Sequence, residues 1–377
     1  MKILVAPDSF KGSLTALEVA ESIKKGIKNY KSNIKVDLLP LADGGEGTVQ
    51  SLVDATRGEI IKEKVTGPLG EKIKANYGIL GDGKTAAIEM AAASGLPLVP
   101  EEKRDPSKTT TYGTGELIKS ALEHGVEEII IGLGGSATTD AGVGMAQALG
   151  VSFLDEKGKE VGFGGRYLDK ISEIKMDNLD NRVKDTKIRV ACDVDNPLFG
   201  KDGAAYVYSP QKGAYQEMVK VLDKKLRKFN EKVKERLNKD VNKIAGAGAA
   251  GGLGAGLVAF LNAELETGID IILDTVEFEK RLKNVDLVIT GEGRLDGQSI
   301  YGKTPIGVAK RAKNHNIPVI AIAGSLGPGA KKVLDKGIDA YFSIIDKPDN
   351  LKAVIKRSSE LLESTAEQII RIFLLNY

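Results

Sequence analysis

IIIGLGGSATTDAGVGMAQALG, residues 129–150, is the stretch on which the reading of the chain turns. Ile129, Ile130 and Ile131 form an apolar, β-branched run of the kind that fills a buried strand, and the run stops at Gly132. Beyond Asp140 the apolar residues return at Val143, Met145, Ala146, Ala148 and Leu149, which suits a buried helix. Strand, glycine loop and helix together make an anion cradle, because glycine lets backbone approach a phosphate and a helix N-terminus presents N–H groups to it. Gly134, Gly135, Ser136, Thr138 and Thr139 are the expected phosphate ligands, and Asp140 the expected magnesium ligand. A rival reading stays open: Gly132-x-Gly134-x-x-Ala137 with Asp155 downstream also fits a dinucleotide turn and an NAD-dependent dehydrogenase. Three hydroxyl residues inside the loop favour the phosphate reading.

Working outward, 377 residues predict two domains. Apolar content of 42% with 28% charged residues describes an ordinary globular chain. A net charge of +2, from 54 basic and 52 acidic residues, excludes a sequence-wide field for nucleic acid or membrane. A small anionic ligand therefore needs locally placed cations. The single cysteine, Cys192, excludes an internal disulfide and fits a reducing compartment. The opening MKILVAPDSF lacks the apolar core of a signal peptide, and no 18 consecutive apolar residues occur, so a cytoplasmic location is expected.

Lys2–Ala6 reads as a strand, Thr15 with Glu18 as a capping box, and 34–41 as a second strand before a helix from about Thr48. These units put Asp8, Lys11, Asp43 and Glu46 at the carboxyl ends of parallel strands, where open α/β sheets bind ligands. Residues 73–90 instead read as a hairpin turning at Gly81-Asp82-Gly83, although Gly78–Thr85 matches a Walker A motif letter for letter. A second formal match, Gly297–Thr304, is separated by six residues from a strand predicted to end at Thr290, so Lys303 is not a Walker lysine. The 3–4 spacing of apolar residues predicts a long helix over 215–237. The glycine-dense 246–256 suits either a tight helix crossing or a helix start near a ligand. Residues 1–60 and 285–377 supply five strands for one doubly wound parallel sheet, and 61–284 an inserted mixed α/β domain. The ligand site is expected in the cleft, from loops of both parts.

The blocks APDSFKGSLTA (6–16), LADGGEGT (41–48), IIIGLGGSATTD (129–140), RVACDVDNPL (189–198), SPQKGA (209–214), GAGAAGGLGAGL (246–257) and LVITGEGRLDGQSIYGKTPIGVA (287–309) together resemble the type I glycerate kinases. VTGPLGEK (65–72), IEMAAASGL (88–96) and TTYGTGEL (110–117) extend the resemblance across the chain. It implies a kinase with no P-loop, using ATP and Mg²⁺ to phosphorylate D-glycerate, for this branch on the 2-hydroxyl. It also implies two domains, one a discontinuous flavodoxin-like part. A sugar-acid sensor that transfers nothing is the remaining alternative to kinase and dehydrogenase. Such chemistry needs cations around the phosphates and a carboxylate to take the hydroxyl proton. The expected catalytic groups are Asp193 as base, Asp296 as second choice, Lys11 and Arg294. Asp8, Ser9, Asp43 and Lys303 are expected to bind substrate, and Glu292 to join Asp140 on the metal. Thr139 and Ala141 depart from the family pattern, which has Asn and Gly there, and Ala141 is costly only if its backbone needs a positive φ.

Overall fold

The computed structural model describes residues 1–300 and 302–376, so position 301 of the second Walker-like stretch lies outside the described residues. Among the described residues thirteen strands run in chain order: β1 (Lys2–Pro7), β2 (Lys35–Leu38), β3 (Glu59–Thr66), β4 (Lys72–Ile79), β5 (Thr85–Glu89), β6 (Glu128–Gly132), β7 (Ser152–Leu154), β8 (Glu173–Lys175), β9 (Lys187–Ala191), β10 (Glu264–Glu266), β11 (Leu287–Leu295), β12 (Val319–Leu326) and β13 (Ala340–Ser343). The chain is α/β and divides into two compact units.

The first unit comprises Met1–Asp43, Gln50–Arg57 and Ile269–Tyr377. Its sheet, β13-β12-β11-β1-β2, is parallel throughout, which by chain order within the unit is the 2-1-3-4-5 flavodoxin-like arrangement. β1 is buried along almost its whole length because helices cover both faces, which is why Ile3, Leu4 and Val5 read as a continuous apolar run and not an alternating one. Thr15 and Glu18 form the expected capping box, Glu18 N–H donating to Thr15 Oγ1 at 3.2 Å and Thr15 N–H to Glu18 Oε2 at 2.8 Å. That fixes the start of helix Ala16–Tyr30, whose Val19, Ile23 and Ile27 pack on Leu361, Ile369 and Ile370 of helix Ser358–Phe373.

Three boundaries differ from the sequence reading. β11 does not end at Thr290 but continues to Leu295, because β12 pairs with it as far as Leu295↔Leu326. The alternating glycines and charges of 291–294 look like a loop, yet a Cβ at Gly291 would come within 2.2 Å of the Ile322 carbonyl oxygen, so glycine serves close strand packing there. The C-terminal helix is two helices, Leu351–Lys356 and Ser358–Phe373. Residues 269–284 belong to the first unit, not to the insertion: Arg281 bonds Asp37 at 3.2 Å and the Ala55 carbonyl at 3.4 Å. Helical residues carry no strand signal, so the strand count alone set that boundary too late.

The second unit, Gly44–Val49 and Gly58–Gly268, is built on a six-stranded sheet, β10-β9-β6-β5-β4-β3. β5, β6, β9 and β10 are parallel, and β3 and β4 add the antiparallel hairpin strands. In the turn between β4 and β5, Lys84 of the first Walker-like match pairs with Glu127 on the surface at 2.7 Å. Helix Gln216–Leu237 buries Val219, Leu222, Leu226, Phe229 and Val233, the expected stripe, with Phe229 against Phe260. No helix among the described residues is long and apolar enough to cross a membrane.

Candidate functional site

In the first unit the sheet order reverses between β1 and β11, and the carboxyl ends of these strands open into a cavity of about 520 Å³. Asp8, Ser9, Lys11, Asp43, Glu292, Arg294 and Lys303 all line it. Seven of the expected site residues therefore converge here. Crevices at such reversal points are the ligand sites of open α/β sheets because neighbouring loops diverge there.

Asp8 follows β1 directly, its N–H bonded to the Gly291 carbonyl at 2.8 Å. Its Oδ1 accepts from Ser9 N–H at 2.6 Å and Ser9 Oγ at 3.2 Å, and its Oδ2 from Thr304 Oγ1 at 2.9 Å. Burial foremost, and then the charge of Asp43, push the Asp8 carboxyl up to about 6, against the hydrogen bonds and the nearby Lys11. Glu292 projects from β11, accepting from Ser299 Oγ at 2.5 Å and from Lys303 Nζ at 3.2 Å. Burial is again the main cause that raises its pKa, and Asp43 adds to it. Lys303 stands at the N-cap of helix Thr304–Lys313, with Pro305 in the first turn. Arg294 is largely exposed and pairs with Asp296 at 3.3 Å. Asp296 is not among the cavity residues; its Oδ1 closes a turn on Gln298 N–H at 2.9 Å.

The remaining expected residues belong to the second unit. Gly134 and Gly135 are exposed just past β6, and Ser136 lies at the edge of burial. Thr138 and Thr139 are fully buried, Thr139 Oγ1 lying 3.1 Å from Ser209 Oγ, so neither hydroxyl faces solvent. Asp140 is 1% exposed, and its carboxylate accepts from Thr111 N–H (2.8 Å), Thr111 Oγ1 (2.9 Å), Gly142 N–H (3.2 Å) and Gly144 N–H (3.3 Å). The helix that follows, Val143–Ala148, has only six residues. Three of these bonds fall on Asp140 Oδ2 and one on Oδ1, so the carboxylate ties together the loop ahead of the helix. Asp193, exposed beyond β9, accepts Gly268 N–H at 2.9 Å.

Glycine 246–256 resolves in favour of close packing. A Cβ at Gly251 would sit 1.9 Å from the Thr138 carbonyl oxygen and one at Gly256 2.5 Å from that of Ala141, so the two glycine-dense stretches lie against each other. Ala141 is squeezed by this contact into φ +51°, the condition under which its methyl costs energy.

Sequence reasoning missed two groups. Thr304 and Ser299 hold Asp8 and Glu292 in place; Thr304 is 296 residues from Asp8, and Ser299, seven residues from Glu292, reaches it only because β11 and the loop after it fold back. Lys212 is fully buried, its Nζ bonded to Ser136 Oγ and the Thr138 carbonyl, each at 2.7 Å. Burial pulls its pKa down to about 7 against the opposing charge of Asp140. The signal was available, since Lys212 sits between proline and glycine in the block SPQKGA.

Carboxylates and lysines facing one cavity suit an anionic substrate and phosphoryl chemistry. The glycerate kinase family model matches residues 3–374. Glycerate kinase of Bacillus subtilis is 54% identical over 98% of this chain and 97% of its own length. Glycerate 2-kinase of Escherichia coli is 55% identical over 92% of this chain and 91% of its own. A solved structure from Salmonella typhimurium, described as a glycerate kinase 2, superposes with a TM-score of 0.92 at 50% identity, covering 99% of this chain and 98% of that one. Matched from end to end in sequence and in fold, the chain belongs to the glycerate kinase family.

Proposed function

We propose that this chain transfers the γ-phosphoryl group of ATP to the 2-hydroxyl of D-glycerate, giving 2-phosphoglycerate, in the cytoplasm. The observation that carries the reading is the cavity at the β1/β11 reversal, where Asp8, Asp43 and Glu292 meet Lys11, Lys303 and Arg294. Lys11 and Lys303 attract the glycerate carboxylate and the phosphate oxygens, offsetting a repulsion of about 4 kcal/mol between like charges 4 Å apart at an effective dielectric of 20. Asp8, with its pKa near 6, is ionised at neutral pH yet basic enough to take the hydroxyl proton as the phosphoryl group arrives. Ser9 and Thr304 fix its orientation.

A magnesium ion fits the donor set. Among the described residues no three acidic, histidine or cysteine side chains form a complete cage, but this ion is usually held by one or two carboxylates together with substrate phosphates. Asp43 and Glu292 would hold it, and when bound it neutralises charge on the triphosphate. Exposed backbone N–H groups at Gly134 and Gly135 remain candidates for a phosphate contact.

Coupled ADP release with glycerate, lactate, tartronate and glucarate as acceptors tests the reading, followed by phosphorus NMR of the product. ADP release that depends on glycerate, with the 2-phosphate resonance, is expected. NAD-dependent oxidation of glycerate, or binding without ADP release, would overturn it.

A further inference from the structure

The cavity of the first unit is much larger than a three-carbon acid requires. Its volume of about 520 Å³ lies in the range of pockets that enclose drug-sized ligands. Beside the charged residues at the ends of β1 and β11, its lining includes an apolar set: Phe10, Ile344, Ile345, Leu351, Val354 and Ile355. These come from the loop after β1, the end of β13 and helix Leu351–Lys356. Leu351 is 73% exposed and Ile345 45%. Large aliphatic side chains left open beside a cavity lose their hydrophobic stabilisation until something covers them.

Gly293 and Gly324 also line the cavity, and both pack closely on the chain itself: a Cβ at Gly324 would lie 2.5 Å from the Gly293 carbonyl oxygen and 3.3 Å from Phe10 Cδ2, and one at Gly293 would lie 3.3 Å from Phe10 Cα. Ser325 and Asp349 add polar atoms to the lining, suited to an amine or to sugar hydroxyls.

We propose that this apolar set seats the purine base of the phosphoryl donor, its triphosphate running toward Lys11 and Lys303. The inference rests on the kinase reading and goes beyond it by assigning the base to the first unit, on the wall formed by β13 and helix Leu351–Lys356. An aliphatic wall grips the faces of a planar base, while the cationic end receives the phosphates.

Leu351→Ser and Ile345→Ser test the proposal, and circular dichroism confirms that variants at these exposed positions stay folded. Each variant is expected to raise the KM for ATP and the Kd for N-methylanthraniloyl-ADP roughly tenfold, with kcat and the KM for glycerate within twofold of the parent. Inhibition by inorganic tripolyphosphate, which has no base to lose, stays unchanged. An unchanged KM for ATP, or a rise in the glycerate KM instead, overturns the base site. The nucleotide titration reads without turnover, so a parent chain that binds the analogue but fails to phosphorylate glycerate sinks the kinase reading alone. A chain active on glycerate whose variants bind nucleotide normally sinks this inference alone.

Discussion

Asp8→Asn should inactivate the protein and stabilise it at the same time. The carboxyl of Asp8 moves from an ordinary value of 3.8 to about 6 on folding, chiefly because it is buried. At about 1.36 kcal/mol per unit, the folded protein bears roughly 3 kcal/mol for holding this group ionised. A carboxyl raised in this way contributes stability fully present below its unfolded pKa and lost as pH rises through about 6. An asparagine has the same shape and no charge. Its oxygen still accepts the Ser9 N–H, and the Thr304 hydroxyl, which donates to Asp8 at 2.9 Å, can rotate to accept from the new amide. Urea unfolding of the first unit should therefore show a gain approaching about 3 kcal/mol at pH 8 and about half of that at pH 5. The same variant should lose about 10²- to 10⁴-fold in kcat, the usual contribution of a general base. A variant less stable than the parent at pH 8, or a gain independent of pH, would refute the account of the carboxyl. Activity kept within a few-fold would remove Asp8 from the proton transfer.

In the parent protein, kcat/KM should fall as pH drops through about 6, the limb being absent in Asp8→Asn; a flat profile between pH 5 and 8 counts against the assignment. Lys303→Met removes the 3.2 Å partner of Glu292 and a cavity cation, and should lower kcat/KM by about 10- to 100-fold, while Lys11→Ala should raise the glycerate KM. Normal steady-state constants in either variant would take that lysine out of the site. Burial raises the Asp140 carboxyl as it does Asp8, but three of the four donors to it are backbone N–H groups that cannot turn round to accept from an amide, so Asp140→Asn should lower the unfolding free energy by about 2 kcal/mol without changing the magnesium concentration for half-maximal activity. A changed magnesium requirement at unchanged stability would restore the metal role. Ala141→Gly relieves a left-handed methyl, worth about 1–2 kcal/mol, against about 0.4–1 kcal/mol of added chain entropy, so thermal unfolding should rise slightly; a clear fall would mean the packing of that methyl dominates.

The sequence alone determined the α/β class, the five-strand set of the discontinuous sheet and most helices, because these follow from local periodicity and capping: Thr15 with Glu18 and the stripe of helix Gln216–Leu237 each need only neighbours along the chain. It also put Asp8, Lys11 and Asp43 at the ends of parallel strands, and the structure brings them together with Lys303 in the lining of one cavity. What packs against each glycine-rich loop was decided only in three dimensions. The cradle after β6 and a cradle stapled by its own Asp140 are spelled with the same glycines and hydroxyls, and only the arrival of Thr111 and Gly251 from elsewhere in the chain distinguishes them. The protonation of Asp8 and Lys212 and the apolar wall at Leu351 likewise depend on burial and on contacts across hundreds of residues. Dielectric surroundings and cavity shape are properties of packed volume, and a linear pattern does not encode them residue by residue.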